Sequence, residues 1–407
     1  MPGTGPQYIK NSAPSSVRGS VRSRVRRHSG PHRLQHFLSR GAWDHDLARD
    51  RLMAWTAGQL ADDQAVLIVD ETGDEKSSTD CVGASAQYSG ALGGIGLCQV
   101  AVHLTYASTH GQGLINRALH LPADWAADEE RRLLTHVPDE TGFATKPQLA
   151  AAMLKRARTL GIQARWFVGD EVYGGRELRH AARALGFDYA LAVRADHRVN
   201  TAAGRFTATE LAARVPRRIW MRMRTGHGLK GDRHYDWAML GICPDDTPDD
   251  QPPGHANLLV RRHRYTGELS FYRCHTAAPV ALAALVDAVC CRWKIEEDFQ
   301  AGKSACGLDE GQSTCWNSWM RWSLISMLAA AVLAVTRART RHTGKPAGPL
   351  APASRRELLR LLRATVLPRP RRDLGHLLHW SAWRRRHQHQ AAQAHRHWNN
   401  ITAAATT

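Results

Sequence analysis

Two short apolar runs, each ending abruptly in an acid, constrain this chain more than any other feature. Ala65-Val66-Leu67-Ile68-Val69 runs straight into Asp70-Glu71-Thr72-Gly73, and Trp166-Phe167-Val168-Gly169 runs into Asp170. A continuous apolar run of this length, bounded by turn residues, reads as a strand buried on both faces. Cys98 to Tyr106 reads as another strand, reached through a glycine-rich stretch. Between the acid-terminated strands, Thr145 to Leu160 has helical spacing. Thr145 is placed to cap it, Gln148 to close a capping box, and Leu149, Met153 and Leu160 to face inward. A helix to Leu185 and a strand from Tyr189 to Val193 follow. This alternation predicts an α/β fold, a mixed sheet flanked by helices.

On either side of that alternation the texture changes. His32 to Leu60 reads as one or two short helices, with Leu34, Phe37 and Leu38 on one face. From about Thr207 to His275 short strands dominate, among them Tyr235 to Leu240, Asn257 to Val260 and Leu269 to Cys274, and Arg218 to Arg224 roughly alternates basic with apolar residues. This predicts a β-rich insertion with one basic face, in which Asp245 to Pro253 is a solvated acidic loop. Ala281 to Ser304 reads as one long helix. Trp316 to Val335 reads as a second, whose Trp316, Trp319 and Trp322 recur at helical spacing as packing residues. Beyond a Gly/Pro linker, Ser354 and Glu357 cap a further helix. The predicted partition is a disordered basic leader (1–30), a helical N-terminal remnant (31–62), the first part of a core (63–206), a β-strand insertion (207–276), the last core helices (277–340) and a basic C-terminal region (341–407).

A formal net charge of +18 predicts a polyanionic partner, nucleic acid first, against the plainer alternative of a merely arginine-rich protein. None of the eight cysteines sits in a Cys-x-x-Cys pair, and Cys290 adjoins Cys291, which suits neither a simple disulfide nor a zinc knuckle. They read as reduced, buried small side chains of a cytosolic protein. Met1 to Ser20 lacks the apolar segment of a signal peptide. The most apolar stretch, Trp322 to Val335, has 14 residues where a bilayer span needs roughly 20, so no membrane role is expected.

A third acid, Glu296, lies on a helix 126 residues beyond Asp170. Breaking a phosphodiester needs an activated water and stabilised attacking and leaving oxygens. Two Mg²⁺ ions about 4 Å apart supply these when a few carboxylates hold them. Each acid also has a structural reading, since Asp before Thr-Gly commonly makes a turn or a cap. Each has neighbours of the same type: Glu71 and Asp74, then Glu171, then Glu297 and Asp298. Glu71 is expected on the opposite face of its strand from Asp70, and Asp74 in a flexible turn.

Arg292, Glu296 and Lys303 match the pattern Tyr-x2-Arg-x3-Glu-x6-Lys around the last carboxylate of DDE transposases of bacterial insertion sequences, with Val289 in the tyrosine position. Ile68-Val69-Asp70-Glu71-Thr72-Gly73, Gln87-Tyr88-Ser89-Gly90, Gly169-Asp170-Glu171-Val172-Tyr173-Gly174, Gly228-Leu229-Lys230-Gly231 and Gly307-Leu308-Asp309 also resemble blocks of that family. The resemblance implies a ribonuclease-H-like fold with a β-strand insertion between the second and third carboxylates. It implies that Asp70, Asp170 and Glu296 are catalytic ligands of two Mg²⁺ or Mn²⁺ ions, which serve to cut DNA at element ends and join the freed 3′-OH to target DNA. Lys303 shares a helix face with Glu296 and is placed, with Arg292, to hold phosphate.

Lys230, Arg194, Arg222, Arg224, Arg261 and Arg262 are candidate DNA-backbone contacts, with a solvated basic face as the alternative. Trp220 is expected to pack, or else to stack on an unpaired base. His387, His389, His395 and His397 read as part of a DNA-tracking or disordered tail rather than a metal tract. The implied partners are double-stranded DNA, as terminal inverted repeats and target, and further copies of the chain on that DNA. The implied location is the cytoplasm, on the nucleoid. Leu34 to Trp43 resembles the end of a longer DNA-binding region, which leaves a shortened copy as an expectation. The rival readings are a relative that occupies DNA without catalysis and a ribonuclease-H-like nuclease that cuts without joining.

Overall fold

A computed structural model of the protein describes residues 31–228, 231–343, 353–366 and 373–405. The basic leader, Lys230 and most of the Gly/Pro linker lie outside the described residues. The chain divides into two compact units, one made of the residues up to Gly41 with those from Leu374 onward, the other Ala42–Asp373. The first unit contains α1 (Pro31–Ser39) and a C-terminal helix introduced below.

The larger unit starts with α2 (His45–Gln59), capped by the Asp44 carboxylate, which accepts from the backbone N–H of Asp46 and Leu47. Four strands follow: β1 (Val66–Glu75), β2 (Ser85–Ser89), β3 (Gly94–Ala107) and β4 (Gln112–His120). Short helices α3 (Ala123–Ala127) and α4 (Glu129–Thr135) lead to α5 (Lys146–Thr159), which starts with the expected Thr145–Gln148 capping box. Then come β5 (Trp166–Gly169), α6 (Arg176–Ala184) and β6 (Asp188–Val193). β5 runs parallel to both β1 and β6, while β3 runs antiparallel between β1 and β4. The order β4-β3-β1-β5-β6 is a ribonuclease-H-like mixed sheet.

A separate small hairpin, β7 (Arg198–Thr201) and β8 (Gly204–Thr207), and α7 (Ala208–Ala213) precede four more strands: β9 (Met221–Gly228), β10 (Gly231–Gly241), β11 (His255–Arg262) and β12 (Leu269–Thr276). β12 pairs antiparallel with β6, so these strands continue the central sheet in the order β6-β12-β11-β10-β9. The remaining helices are α8 (Leu282–Cys290), α9 (Trp293–Cys306), α10 (Trp316–Thr343), α11 (Arg355–Thr365) and, in the first unit, α12 (Leu374–Ala405).

The sheet has a core on each face, and strand alternation assigns β1 residues between them. Leu67 and Val69 pack with Met153 and Leu154 of α5 and Leu178 of α6. Val66 and Ile68 pack in the cluster of Val286 of α8, Phe299 of α9 and Met327 of α10. The same parity sends Asp70 toward the α9 side.

Several expectations need correction. β1 does not stop at Asp70; only its pairing with β5 stops there, and β3 holds it extended to Glu75. Asp74 is therefore a strand residue ion-paired to the buried Lys76, not part of a flexible turn. The glycine-rich stretch is the β2–β3 hairpin. The predicted long helix is two, interrupted at Cys291 and Arg292.

The loop from Asp245 is solvated only in part: Asp249, Asp250, Pro252 and Pro253 are exposed, while Asp245 and Thr247 are half-buried. Asp246 is fully buried, 2.8 Å from Arg183 and 3.2 Å from Arg179, both themselves buried on α6. Two guanidiniums taken out of water require a countercharge, and this loop supplies it. α10 is also longer than expected. Its stretch Trp316–Thr340 is long and apolar enough to cross a membrane by length and composition, but 61% of its most apolar window is buried, with Leu324, Met327 and Ala331 in the core.

Candidate active site

Strand register brings the first two acids together. The last parallel pair between β1 and β5 is Val69 with Gly169, so Asp70 and Asp170 are each the next residue after it. They stand where the parallel pairing of β1 with β5 ends, Asp170 just beyond its strand and Asp70 midway along β1, which β3 alone carries on to Glu75. Asp170 turns out of its strand at once, its Oδ1 accepting from the N–H of Val172 at 3.0 Å to cap a 3₁₀ turn, Glu171–Tyr173. Capping and a role in the cleft are compatible, because the cap uses one oxygen. Gly174 follows that turn, and a Cβ there would lie 2.3 Å from the Ala192 carbonyl oxygen on β6. Gly174→Ala is expected to cost about 2 kcal/mol or more, because backbone rather than a movable side chain must yield. Urea denaturation checks it.

Glu296 reaches the same place from the helix side. Asp70, Asp170, Glu296, Arg292 and Lys303 line one cleft of about 1170 Å³. Arg292 sits in the break before α9, its Nη1 3.0 Å from Asp70 Oδ2 and 3.8 Å from Glu296 Oε1. Lys303, two helical turns beyond Glu296, donates to the Gly73 carbonyl at 3.3 Å. Burial pushes the Asp70 carboxyl up to about 7, and the neighbouring charges of Asp170 and Glu296 add to this while Arg292 opposes it. Asp170 is raised as well, by burial first and by Glu71 next.

Of the neighbouring acids, Glu71 and Glu171 also line the cleft, while Glu297 and Asp298 do not. Glu71, on the α5 side of β1, accepts from Lys146 at 2.7 Å and from the Tyr173 hydroxyl at 2.5 Å. Asp298 is buried and ion-paired to Arg355 at 2.6 Å, and Glu297 accepts from Gln112 at 2.8 Å. Glu171 is exposed at the cleft.

Of the other predicted DNA contacts, Arg261 and Arg194 line the cleft. Arg261 donates to Ser270, and Arg194 pairs with Asp196 at 3.2 Å. Arg222, Arg224 and Arg262 are not in the cleft wall and lie beside acids: Arg222 and Arg262 flank Asp236 at 3.5 and 3.1 Å, and Arg224 is 3.5 Å from Asp232. Trp220 packs at the edge of a small core, with the Arg262 guanidinium 4.1 Å from its ring. His387, His389 and His397 lie exposed on α12. Sequence reasoning assigned no role to Tyr88, Ser89 or Gln300, which also line the cleft. The exposed tyrosine beside a glycine turn was the available signal.

The donor set fits a hard divalent cation. Burial is the main cause of the raised Asp70 pKa and the charges of Asp170 and Glu296 add to it, a deficit of countercharge that a hard cation would offset. Among the described residues, no three His, Cys, Asp or Glu side chains stand close enough to hold one ion.

The chain is similar to the probable transposase for insertion sequence element IS701 of Microchaete diplosiphon, 26% identical over 170 residues. That stretch is 41% of this chain and 41% of the relative, so less than half of either protein is compared. The family described as DDE superfamily endonuclease matches residues 15–241, a span that includes Asp70 and Asp170 and ends before Glu296. With more than half of its length matched, the chain belongs to the DDE superfamily of endonucleases.

Proposed function

We propose that the protein is a transposase that nicks DNA at the ends of its element and joins the freed 3′-OH to target DNA. One observation carries this reading: Asp70 and Asp170 each follow the last parallel pair of β1 and β5, with Glu296, Arg292 and Lys303 on the same cleft. Asp70 and Asp170 would hold the ions from the sheet, and Glu296 from the helix side. When bound, two hard divalent ions, Mg²⁺ or Mn²⁺, supply an activated water and neutralise charge on the attacking and leaving oxygens.

The protein's own cations do the rest. Arg292 is the countercharge of Asp70 and Glu296, and its guanidinium stands on the cleft wall, where it can grip a phosphate bidentately. Lys303 presents a point charge from the same helix. Arg261 and Arg194 also line the cleft, among acids that include Asp196 and Glu268, and such side chains position the backbone without reading sequence. Joining two ends requires two such sites, and hence more than one copy of the chain on DNA.

A duplex carrying the gene's flanking sequence and a pre-cut end with a free 3′-OH separates a transposase from a nuclease that only cuts. Incubated with Mn²⁺ and plasmid, it is expected to become covalently attached to the plasmid. Plasmid cutting with no attachment would replace the transposase reading by the nuclease one.

A further inference from the structure

The β2–β3 hairpin presents apolar side chains to solvent from a firmly held base. Tyr88 and Ile95 are directly paired across its strands and are 65% and 78% exposed. Their neighbours on that face are the pair Ala86 and Leu97, so the whole face is apolar. Leu92 in the turn is a third exposed apolar side chain, at 38%. The opposite face is anchored. Gln87 donates to the carbonyls of Gly83 and Cys98 at 3.2 and 3.0 Å, and Ser89 is buried against Gly73 of β1. At Gly90, Gly93 and Gly94 an added Cβ would meet nothing within 4 Å, so the turn is open on its outer side.

A rigid hairpin that exposes a tyrosine and an isoleucine implies a partner for them. Position names it. Of this face Tyr88 lines the same cleft as Asp70, Glu296 and Lys303, as do Ser89, Gly90 and Ala91 next to it, so whatever enters that cleft with its phosphate also meets Tyr88, with Ile95 paired beside it. We propose that the Tyr88–Ile95 face is a wedge that stacks against DNA bases unstacked next to the phosphate held in the cleft. Apolar and aromatic side chains inserted at a base step are a general means of opening it, and every base offers a face for stacking. The wedge fixes where along the duplex the scissile bond sits. The inference rests on the proposed function, because it needs DNA in the cleft.

The test uses the full-length protein in Ca²⁺, with two fluorescent duplexes that differ only in a central two-base mismatch. A mismatch removes the cost of unstacking in advance, so the protein should bind that duplex about tenfold more tightly. Tyr88→Ala and Ile95→Ser should each erase most of this ratio, and Tyr88→Trp should retain it. A 2-aminopurine placed beside the mismatch should brighten with the parent protein and not with Tyr88→Ala. Both positions are exposed, and thermal melting verifies that the variants fold.

An unchanged ratio in Tyr88→Ala overturns the wedge. So does conversion of a dimer to a monomer in that variant with no effect on the ratio, which would assign the face to a second copy of the chain. If the parent protein nicks DNA in Mn²⁺ yet shows no mismatch preference, the wedge alone fails. If it binds neither duplex, the functional reading fails with it.

Discussion

Asp70→Asn is expected to end DNA cleavage and, in the same protein, to raise the melting temperature measured without metal. Both effects have one cause. The carboxyl at position 70 is buried beside Asp170 and Glu296, and its pKa stands at about 7 in place of 3.8. The folded state therefore disfavours the carboxylate. Stability contributed by the protonated form is fully present below pH 3.8 and is lost as the pH rises through about 7.

Three pKa units correspond to about 4 kcal/mol at most. Arg292 loses its partner in the variant, which offsets part of this, so a gain of about 1–2 kcal/mol above pH 7 is the expected result. The difference between variant and parent should shrink toward zero near pH 4. Mg²⁺ or Mn²⁺ should raise the parent's melting temperature, since a ligand of the native state stabilises it, and should do much less for Asp70→Asn. Asp170→Ala and Glu296→Ala should likewise abolish cleavage while DNA binding persists. A variant at position 70 that melts lower than the parent at pH 8, or that still cleaves, would contradict this account of the site.

Asp246→Ala is expected to be among the most damaging single substitutions outside the cleft, costing about 3–5 kcal/mol. The Asp246 carboxylate is the meeting point of Arg179, Arg183 and the Tyr189 hydroxyl, none of them exposed to water. Removing it leaves two buried guanidiniums, with Asp245 beside only Arg179 and Arg273. The loss is mechanical as well as electrostatic, because this cluster ties the β10–β11 loop to α6 and to β6 and β12 of the central sheet. Urea denaturation at neutral pH measures the cost. A loss under 1 kcal/mol would mean the arginines find other partners or water.

These residues also show how much the sequence disclosed. Asp70 and Asp170 were legible because an apolar run of four or five residues can be little else than a buried strand, and an acid at its end marks the edge of the sheet. Parity along the strand distinguished Asp70, on the α9 side, from Glu71, on the α5 side, though both line the cleft, and the proposal of Glu296 over its two acidic neighbours rests on the Arg-x3-Glu-x6-Lys spacing. The loop at Asp245 misled because local composition cannot report a partner more than sixty positions away: the same acids and prolines suit a solvated turn and a loop claimed by Arg179 and Arg183. β4 was missed for a related reason. Both its flanks are covered, so Gln112 to His120 shows no alternation of apolar and polar residues. The break at Arg292 was hidden because helical periodicity continues across it, although that break is what turns the guanidinium onto Asp70.

The central claim is that Asp70, Asp170 and Glu296 form one metal-dependent cutting site. Its most direct test is incubation of DNA carrying the gene's own flanking sequence with Mg²⁺ or Mn²⁺ and either the parent protein or Asp170→Ala. The account predicts nicks at one defined boundary on each side, absent without metal and absent with the variant. Equal nicking by both proteins, or binding by both with no metal-dependent nick, would contradict it.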